Sequence, residues 1–492
     1  MQPDENRGTD MLKCALIGAA CLLATVSASA GDLVWGANGH PITAYPGIAI
    51  ERQFDYLEDL GMKSYRVNIA DVSSAERLAE LVAEGKKHGI EVLPVITPGN
   101  IDLDKDGIEE LYGKARSLAV AFGSRFKDDI PAWELGNEME NYAIIKPCER
   151  RDDGSTYPCE WGPAGGTGVL DYFGPRWAKV SAVLKGLSDG MSEVAPGSRK
   201  AIGTAGWGHT GAFERMKQDG IHWDISVWHM YGQDPEPAFK VLANYGKPIW
   251  VTEFNNPYGS QRSERQQAEG LVQAMIRLRE LQAKYKVEAA HIYELLDETY
   301  WAPDFEASMG LIRLVGAAER GWSPAGPKAA YIAVRDLIRG PRSQPRPQRD
   351  CDLADADKIV IVTMRQASFA HCLILGRKAS DEDVERWSAA LDESLADVPK
   401  MMIDLMHSRE FRRKYSIIGL SDRAYVVFLY RLLMNRDGDG YGLDIYSKQL
   451  REGSMSRDTI ARGMMTSSEF TDKYSAHLGA NAKTGPGAGA AN

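Results

Sequence analysis

The sequence has no excess of positive charge and little that suggests disorder. Its 492 residues include 58 Lys+Arg and 68 Asp+Glu, which gives a net charge of −10. A nucleic-acid binder needs a basic surface that neutralises phosphates, so this composition argues against one. Hydrophobic residues make up 44% of the chain, enough to bury a sizeable core and to exclude wholesale disorder.

Long hydrophobic runs are also missing, except at the N-terminus. The only such run extends from Cys14 to Val26, follows Lys13 and ends just before the small residues that lead to Ala30. It is too short to span a bilayer, and this pattern is typical of a secretory signal peptide cleaved after Ala30. An uncleaved anchor helix is the alternative. Acidic residues precede Met11, which leaves both Met1 and Met11 as candidate starts.

Cysteine is scarce, and none of the cysteines has C-x-x-C spacing, so no structural zinc site is expected. Removal of the signal peptide leaves Cys148, Cys159, Cys351 and Cys372. In an oxidising compartment an even number of cysteines indicates disulfides. Cys148 and Cys159 bracket a short loop and predict one bridge, and the other two cysteines predict a second.

No G-x-G-x-x-G motif follows the first predicted strand, which argues against a dinucleotide-binding fold. Instead, strand patterns alternate with helix patterns between residues 33 and 339. Such alternation predicts a parallel sheet covered by helices, and eight units in about 305 residues fit a (β/α)8 TIM barrel. The predicted strands are Val34 to Asn38, Ser64 to Ile69, Glu91 to Thr97, Ala132 to Asn137, Lys200 to Ala205, Asp224 to Met230, Pro248 to Phe254 and Glu288 to Glu294.

The composition changes after the barrel, which we place at residues 31–339. Residues 340–350 form a Pro/Arg-rich linker. Residues 351–478 contain two copies of one pattern at a constant offset of 59 residues, as in Phe369 and Phe428 or Arg377 and Arg436. The pattern predicts a small all-α repeat domain whose two units bury their apolar faces on each other. The Gly/Ala-rich tail, residues 479–492, is predicted to be disordered.

Two carboxylates follow strands on opposite sides of the predicted barrel. Glu138 ends the segment Trp133–Glu138 after strand 4, and Glu253 lies near the end of strand 7. The active site of a TIM barrel lies at the C-terminal ends of its strands, so both carboxylates are expected to face one mouth. A carboxylate pair can cleave a glycosidic bond, since one protonates the leaving oxygen and the other attacks the anomeric carbon.

These two segments resemble those of the clan A retaining glycoside hydrolases, most closely family 39-like and family 5-like members. The resemblance covers the whole barrel and implies that Glu138 is the general acid/base and Glu253 the nucleophile. It also implies that Asn137 binds the sugar 2-hydroxyl, and that neither a cofactor nor a metal is needed. The segment Trp228–Tyr231 resembles the histidine/tyrosine motif of the clan.

Several other residues are expected to support this pair. Arg66 and Tyr231 are placed to hydrogen-bond Glu253 and keep it ionised. His229 is either a substrate contact or a barrel histidine, and a rim salt bridge is the alternative for Arg66. Glu134 and Glu140 are interpreted as structural or peripheral, because strand alternation directs them away from Glu138 or past it.

Aromatic residues near the strand ends are candidate platforms for sugar rings, with ordinary packing as the alternative. They are Trp35, Trp207, Tyr258, Tyr300 and Trp301. Strand 8 departs from the usual clan pattern, in which a tryptophan supports the −1 sugar. Tyr293 or Glu294 is expected to take that place, with Trp301 reaching in from the following loop. The long loop from Asn141 to Gly168 is expected to wall one side of the cleft.

The C-terminal repeats resemble the bacterial domain-of-unknown-function family numbered 4214, from F-x-x-x-L-x-x-R to the Ser-x-Glu-Phe ending. This resemblance leaves two roles open, attachment to the substrate or contact with a cell surface or matrix. The stretch from Asn435 to Gly440 mimics half of a calcium loop, but Tyr446 occupies the twelfth position, so a turn is the better interpretation.

The sequence therefore predicts a β-glycoside hydrolase that is secreted, periplasmic or on the surface of a bacterium. It is expected to act endo on an exopolysaccharide or cell-wall glycan, with no nucleic-acid partner. The alternative is a barrel that binds carbohydrate or assists polysaccharide assembly without catalysis.

Overall fold

The computed structural model describes residues 32–42, 48–317, 321–341 and 345–479. The predicted signal peptide, nearly all of the predicted disordered tail and the centre of the Pro/Arg linker lie outside the described residues. Among the helices described, none is both long and apolar enough to cross a lipid bilayer.

Eight parallel strands close into a barrel in sequence order, and β8 pairs with β1. This closed order confirms the predicted (β/α)8 architecture. The strands are mostly buried because strands covered on both faces have few solvent-facing positions; five of the six residues of β3 are buried, for example. The strands are β1 Val34–Gly39, β2 Ser64–Ile69, β3 Glu91–Ile96, β4 Ala132–Leu135, β5 Arg199–Thr204, β6 Ile225–Tyr231, β7 Ile249–Asn255 and β8 Val287–Ile292.

A helix follows each barrel strand along the chain. The helix α1 ends at Gly61 and α2 at Gly89, and both glycines have a left-handed backbone, with φ of 83° and 63°, which glycine adopts without strain. At the other end of a helix, the Ser263 side chain accepts hydrogen bonds from the first backbone N–H groups of α7. The eight helices are α1 Ile50–Leu60, α2 Ala75–His88, α3 Ile108–Phe126, α4 Gly174–Val194, α5 Gly211–Gln218, α6 Glu236–Leu242, α7 Glu264–Tyr285 and α8 Ala329–Arg339.

A two-stranded hairpin between β8 and α8 was not predicted. It consists of β9, Ile312–Ala317, and β10, Gly321–Pro327, which pair antiparallel. The sequence of β10 contains two glycines and two prolines, which are depleted in strands and therefore hide the strand pattern.

The C-terminal region is entirely helical and contains two matching sets of four helices. The helices α10 and α14 begin at Asp381 and Gly440, 59 residues apart, as the repeat predicts. Each copy also contains the same arginine–glutamate ion pair. The elements are α9 Val362–Ala370, α10 Asp381–Asp392, α11 Val398–Met406, α12 Arg409–Tyr415, α13 Asp422–Leu429, α14 Gly440–Arg451, α15 Arg457–Met465, α16 Ser468–Lys473 and α17 Ser475–Leu478.

The arginine–glutamate ion pair of each copy joins residues that are 33 positions apart in the repeat pattern. Arg377 Nε donates to Glu410 Oε1 over 2.6 Å, and Arg436 Nε donates to Glu469 Oε1 over the same distance. The calcium-like stretch is a turn, because the Asp439 side chain accepts from the backbone N–H of Gly442 and caps α14. Side-chain contacts thus link matching positions in the two copies.

The barrel and the helical region have separate hydrophobic cores, and polar contacts connect them. Arg412 Nη2 lies 2.8 Å from Asp55 Oδ1, and Arg313 Nη1 lies 3.3 Å from Asp422 Oδ2. Both predicted disulfides are present, with Cys148 bonded to Cys159 and the second bridge between Cys351 and Cys372. The domain boundaries given above stay predictions.

Candidate active site

Glu138 lies just beyond β4, where the chain turns sharply. Gly136 and Glu138 both have left-handed backbones, with φ of 79° and 48°. A Cβ at Gly136 would meet Leu184 and Met139 at 2.8 Å, so both the turn and the space require glycine. The turn places the Glu138 side chain at the barrel mouth, with about 30% of it exposed. Its Oε1 lies 2.8 Å from His229 Nδ1.

Glu253 lies on β7 and is buried, and hydrogen bonds reach both of its carboxylate oxygens. Arg66 Nη1 donates to Oε1 and the Tyr231 hydroxyl donates to Oε2, each over 2.7 Å. Burial by itself would raise the pKa of Glu253, but the positive charges of His229 and Arg66 outweigh it and hold the pKa below its usual value. The carboxylate is therefore ionised over the ordinary pH range.

The pairing of β6 with β7 brings His229 beside Glu253. Trp228 pairs with Val251, but the next residue, His229, pairs with Glu253, so the register shifts by one residue. His229 Nδ1 lies 3.4 Å from Glu253 Oε2, in addition to its contact with Glu138. Burial lowers the pKa of His229, but the Glu253 and Glu138 carboxylates more than compensate, and the net shift is upward. His229 therefore contacts both carboxylates.

Arg66 connects the residues beneath the mouth. Its Nε and Nη2 donate to the two oxygens of Glu134 over 2.8 and 2.6 Å, and Nη2 also donates to Asn137 Oδ1 over 2.7 Å. Arg66 is only 2% exposed, so its salt bridges with Glu134 and Glu253 are buried rather than at the rim. Because Asn137 Oδ1 accepts from Arg66, its Nδ2 is left as the donor that a substrate hydroxyl could use.

Glu134 is structural, as expected. Glu134 points into the barrel interior, where it holds Arg66 and accepts from the Thr252 hydroxyl over 3.3 Å. Glu140 is structural as expected, since Oε1 accepts from the Ala205 N–H and lies 2.9 Å from His209 Nδ1.

The predicted residues around strand 8 lie in different environments. Glu294 is the second residue after β8, is fully buried and lies 3.4 Å from His40 Nε2. Trp301 belongs to the short helical turn after it and is 53% exposed. The predicted platform at Trp35 is wrong, because the ring is buried in the barrel core against Phe254.

Trp207 is the most exposed of the predicted platforms, at 72%. It lies after β5 with a φ of 56°, which is rare for a bulky residue. A Cβ at the preceding Gly206 would lie 2.0 Å from the backbone oxygen of His229, so this turn packs directly against β6. Trp207 is thus presented at the rim of the mouth.

Sequence reasoning missed several polar residues of the site. Asn38 Nδ2 donates to the Thr252 backbone oxygen over 2.9 Å, and Asn38 Oδ1 accepts from Arg66. Glu298 accepts from the hydroxyls of Tyr293 and Tyr300. The available signal was a polar residue at an inward position of an otherwise apolar strand, as at Asn38.

Among the residues that the structure describes, two clusters have a spacing that could hold a metal ion. One is Glu138, His229 and Glu253, and the other is His40, Glu294 and Glu298; in each, the candidate atoms lie within 4.8 Å of one another. In the first cluster all three side chains have roles without an ion. The expectation that no metal is needed stays a prediction.

The long loop after β4 is fixed at several points besides its disulfide. Arg176 holds both carboxylate oxygens of Glu149, over 2.6 and 2.7 Å, and Arg215 Nη2 donates to Asp152 over 2.6 Å. Trp161 on this loop is 57% exposed. The disulfide and these ion pairs therefore hold the loop in a fixed position.

Comparisons with known proteins identify one family within the chain. The family described as "Domain of unknown function (DUF4214)" matches residues 402–474, which confirms the resemblance of the C-terminal repeats. No curated protein matches the chain in sequence.

Solved structures similar to the chain include β-glycosidases. The β-glycosidase BGL167 is 13% identical, with a TM-score of 0.42, over 64% of this chain and 99% of its own. The family 1 β-glucosidase of Thermotoga maritima is 12% identical, with a TM-score of 0.45, over 63% and 98% of the two chains. The virulence factor SghA, solved with its substrate analogue salicin, is 11% identical, with a TM-score of 0.45, over 63% and 96%. The fold assignment depends on the closed strand order, not on these values.

Proposed function

We propose that this protein is a secreted retaining β-glycoside hydrolase that cleaves within a bacterial exopolysaccharide or cell-wall glycan. One observation carries the proposal. At the mouth of the barrel, one carboxylate oxygen of Glu138 lies within 4.8 Å of one carboxylate oxygen of Glu253, and both residues contact His229 Nδ1. Retaining enzymes have carboxyl groups about 5–5.5 Å apart, whereas inverting enzymes need about 6.5–9.5 Å to admit a water molecule.

The two environments suit different roles. Glu253 is buried and ionised between Arg66 and Tyr231, so it is the nucleophile that bonds to the anomeric carbon. Glu138 is partly exposed and protonates the departing glycosidic oxygen. Once the glycosyl–Glu253 ester has formed, Glu138 takes a proton from water, the hydroxide oxygen bonds to the anomeric carbon, and Glu253 departs as a carboxylate.

Neighbouring side chains support these steps. His229 contacts both carboxylates and holds Glu138 in place through Nδ1, while its Nε2 lies 3.0 Å from the Thr252 hydroxyl. Asn137 Nδ2 donates to the sugar 2-hydroxyl. Glu294 lies at the base of the −1 subsite, and the exposed rings of Trp207 and Trp301 stack on neighbouring sugars of a long chain.

Endo cleavage, export and partners belong to the same proposal. Exposed tryptophans on loops from different strands favour a cleft that accepts the middle of a polymer. The two disulfides favour an oxidising compartment, outside the cytoplasm. The C-terminal repeats are the part proposed to contact the cell surface or matrix.

A panel of aryl β-glycosides and polysaccharides tests the proposal. We expect Glu138→Gln and Glu253→Gln to lose at least about a thousandfold in kcat/KM on polymer. Glu91→Gln is the matched control, since Glu91 is an exposed carboxylate at the start of β3, at the other end of the barrel. Equal activity of all four proteins, or none with any substrate while polymer still binds, would favour a non-catalytic carbohydrate-binding barrel.

Stereochemistry tests the roles. Proton NMR of the first product should show the β-anomer. With azide, Glu253→Ala should form an α-glycosyl azide, because azide enters from the face that the nucleophile occupied. A product of inverted configuration from the unaltered enzyme would rule out double displacement.

A further inference from the structure

A groove of about 340 Å³ lies between the end of the Pro/Arg linker and the second C-terminal repeat. Ligand pockets in proteins commonly measure about 300–1,000 Å³, so the groove is large enough for a ligand. Four of the residues that line it are arginines and one is an aspartate, so positive charge exceeds negative charge along its walls. These residues are Arg346, Arg349, Arg431, Arg436 and Asp437.

Hydrogen bonds to both repeats fix the linker along this groove. The Tyr415 hydroxyl, in the first repeat, donates to the Gln348 backbone oxygen over 2.9 Å. A Cβ at Gly376 would lie 2.2 Å from the same oxygen, so this close approach requires glycine. Arg349 Nη2 donates to the backbone oxygen of Leu432, in the second repeat, over 2.8 Å. The linker wall of the groove is therefore held in place before any ligand binds.

The two linker arginines have no carboxylate partner among the described residues. Arg346 is exposed and makes no hydrogen bond to any of them. In Arg349, Nη2 is bonded to a backbone oxygen and Nε is enclosed by protein, which leaves Nη1 as the nitrogen available to a ligand. Because no nearby carboxylate cancels these two charges, an anion that enters the groove gains from both.

Arg431, on the repeat side of the groove, has two more available nitrogens. Its Nε donates to Asp437 Oδ1 over 2.7 Å, while Nη1 and Nη2 have no partner in the described part of the chain. The Arg431 side chain is 28% exposed and that of Asp437 is 77% exposed, so water screens this ion pair. Arg436 differs, since both carboxylate oxygens of Glu469 accept from it. The two linker arginines and Arg431 are therefore the donors that an anion would contact.

The repeat fold itself does not require an arginine at position 431. At the offset of 59 residues, the matching residue of the first repeat is Cys372, which is bonded to Cys351. Arg436, by contrast, matches Arg377, and each of these two holds a glutamate of its own repeat. Arg431 is thus particular to the second repeat, and ligand binding gives it a role that folding does not.

A glycan is the anionic polymer that suits this groove. The guanidinium fork matches the oxygen atoms of carboxylates and phosphates. None of the described residues that line the groove is aromatic, so nucleobases have no ring to stack on, and the net charge of −10 opposes an extended nucleic acid. A bilayer attracts basic side chains that project from a surface, whereas these line a recess. Charged groups spaced along a flexible glycan can enter such a recess.

We propose that this groove binds an anionic glycan whose carboxylate or phosphate groups accept hydrogen bonds from Arg346, Arg349 Nη1 and Arg431. The choice of a glycan rests on the proposed function, whereas binding at the groove requires no catalysis by Glu138 and Glu253. The groove gives the C-terminal repeats a defined contact with the polymer, outside the barrel mouth.

Isothermal titration of the full chain with oligogalacturonate, a phosphomannan oligosaccharide and neutral dextran, at one salt concentration, tests the proposal. We expect at least one anionic glycan to bind at least about tenfold more tightly than dextran, a difference of about 1.4 kcal/mol. The two anionic probes distinguish a carboxylate ligand from a phosphate ligand. Arg346→Gln combined with Arg431→Gln should weaken this binding about tenfold. Arg451→Gln, which changes an exposed arginine at the end of α14, is the matched control and should bind normally.

If the double variant does not fold, Arg346→Gln alone should still weaken binding, because Arg346 makes no hydrogen bond or ion pair with the described residues that folding could need. Glu253→Gln should bind the anionic glycan as the unaltered chain does. Binding without hydrolysis by the unaltered chain would contradict the proposed function and support this site. Equal affinity of the double variant and the unaltered chain, no binding of either anionic glycan, or tighter binding of phosphatidylglycerol vesicles or duplex DNA would each overturn the proposal.

Discussion

Arg66 donates from Nη1 to Oε1 of Glu253 over 2.7 Å, while its Nε and Nη2 donate to the two carboxylate oxygens of Glu134. The guanidinium is buried, so its charge acts on Glu253 with little screening by water. The fork on Glu134 fixes the plane of the guanidinium, and this in turn fixes the orientation of the proposed nucleophile.

Arg66→Lys should therefore lower kcat about 100-fold on aryl β-glycosides, because a single ammonium cannot hold both carboxylates. The folded-state pKa of Glu253 is depressed, and a weaker cation should let it rise, so the acid limb of the kcat–pH profile should move to higher pH. Arg77→Lys, an exposed arginine on α2 paired only with Glu80, is the control. An acid limb that stays in place would show that Arg66 does not set the ionisation of Glu253.

Strand periodicity was sufficient to predict the barrel, since parallel strands such as β3 are nearly continuous apolar runs. The repeat offset likewise predicted the matching helices α10 and α14. The hairpin of β9 and β10 could not be predicted this way, because its second strand is rich in glycine and proline. Its pairing depends on contacts between strands rather than on local preference.

Trp207→Ala should weaken action on polymer and leave the chemistry intact. The ring is 72% exposed on a turn packed against His229, so it can stack on a sugar outside the cleavage site. We expect kcat/KM on polysaccharide to fall about fivefold to tenfold, with aryl glycosides nearly unchanged. Trp250→Ala is the control, because Trp250 lies near the start of β7 against Arg199, away from the mouth. A similar fall on both substrate types would argue for a structural role.

The loop after β4 should determine which substrate length the enzyme prefers. Replacing residues 149–158 by a short Gly/Ser linker removes the contacts that Glu149 and Asp152 make with Arg176 and Arg215. We expect the preference for long over short oligosaccharides to change, with kcat on a short aryl glycoside altered less. Product-length analysis by chromatography provides the measurement. Removing the other disulfide, by Cys351→Ser with Cys372→Ser, is the control, and equal losses on short and long substrates would contradict the role.

The two carboxylates could be predicted from sequence because each lies near the C-terminal end of a barrel strand, Glu253 on β7 and Glu138 just beyond β4, where TIM-barrel sites lie. The contacts that support these two carboxylates could not be predicted from sequence. Glu134 and Arg66 meet inside the barrel across 68 residues of sequence, and that pairing depends on side-chain length and register. The one-residue shift that places His229 beside Glu253 has no local sequence signal.

His291 should make the fold less stable in mild acid. It is fully buried on β8, with Nε2 2.8 Å from the Ser64 hydroxyl, and burial together with the charge of Arg66 lowers its pKa to about 3. An unfolded histidine has a pKa of about 6.5. Between these two pH values the unfolded chain therefore binds a proton at His291 that the folded chain does not bind. The contribution of neutral His291 to the free energy of unfolding is complete above pH 6.5 and is lost as the pH falls toward 3.

The free energy of unfolding, measured by urea titration between pH 4.5 and 6.5, should thus fall on acidification by an amount on the order of 1 kcal/mol per pH unit from this residue. His291→Gln cannot take up the proton, so its curve should be shallower, even though the variant is less stable at neutral pH. His222→Gln provides the matched control, because the His222 side chain is exposed. Parallel curves for His291→Gln and the unaltered protein would mean that carboxylates, which lose their native ion pairs in acid, govern the acid sensitivity instead.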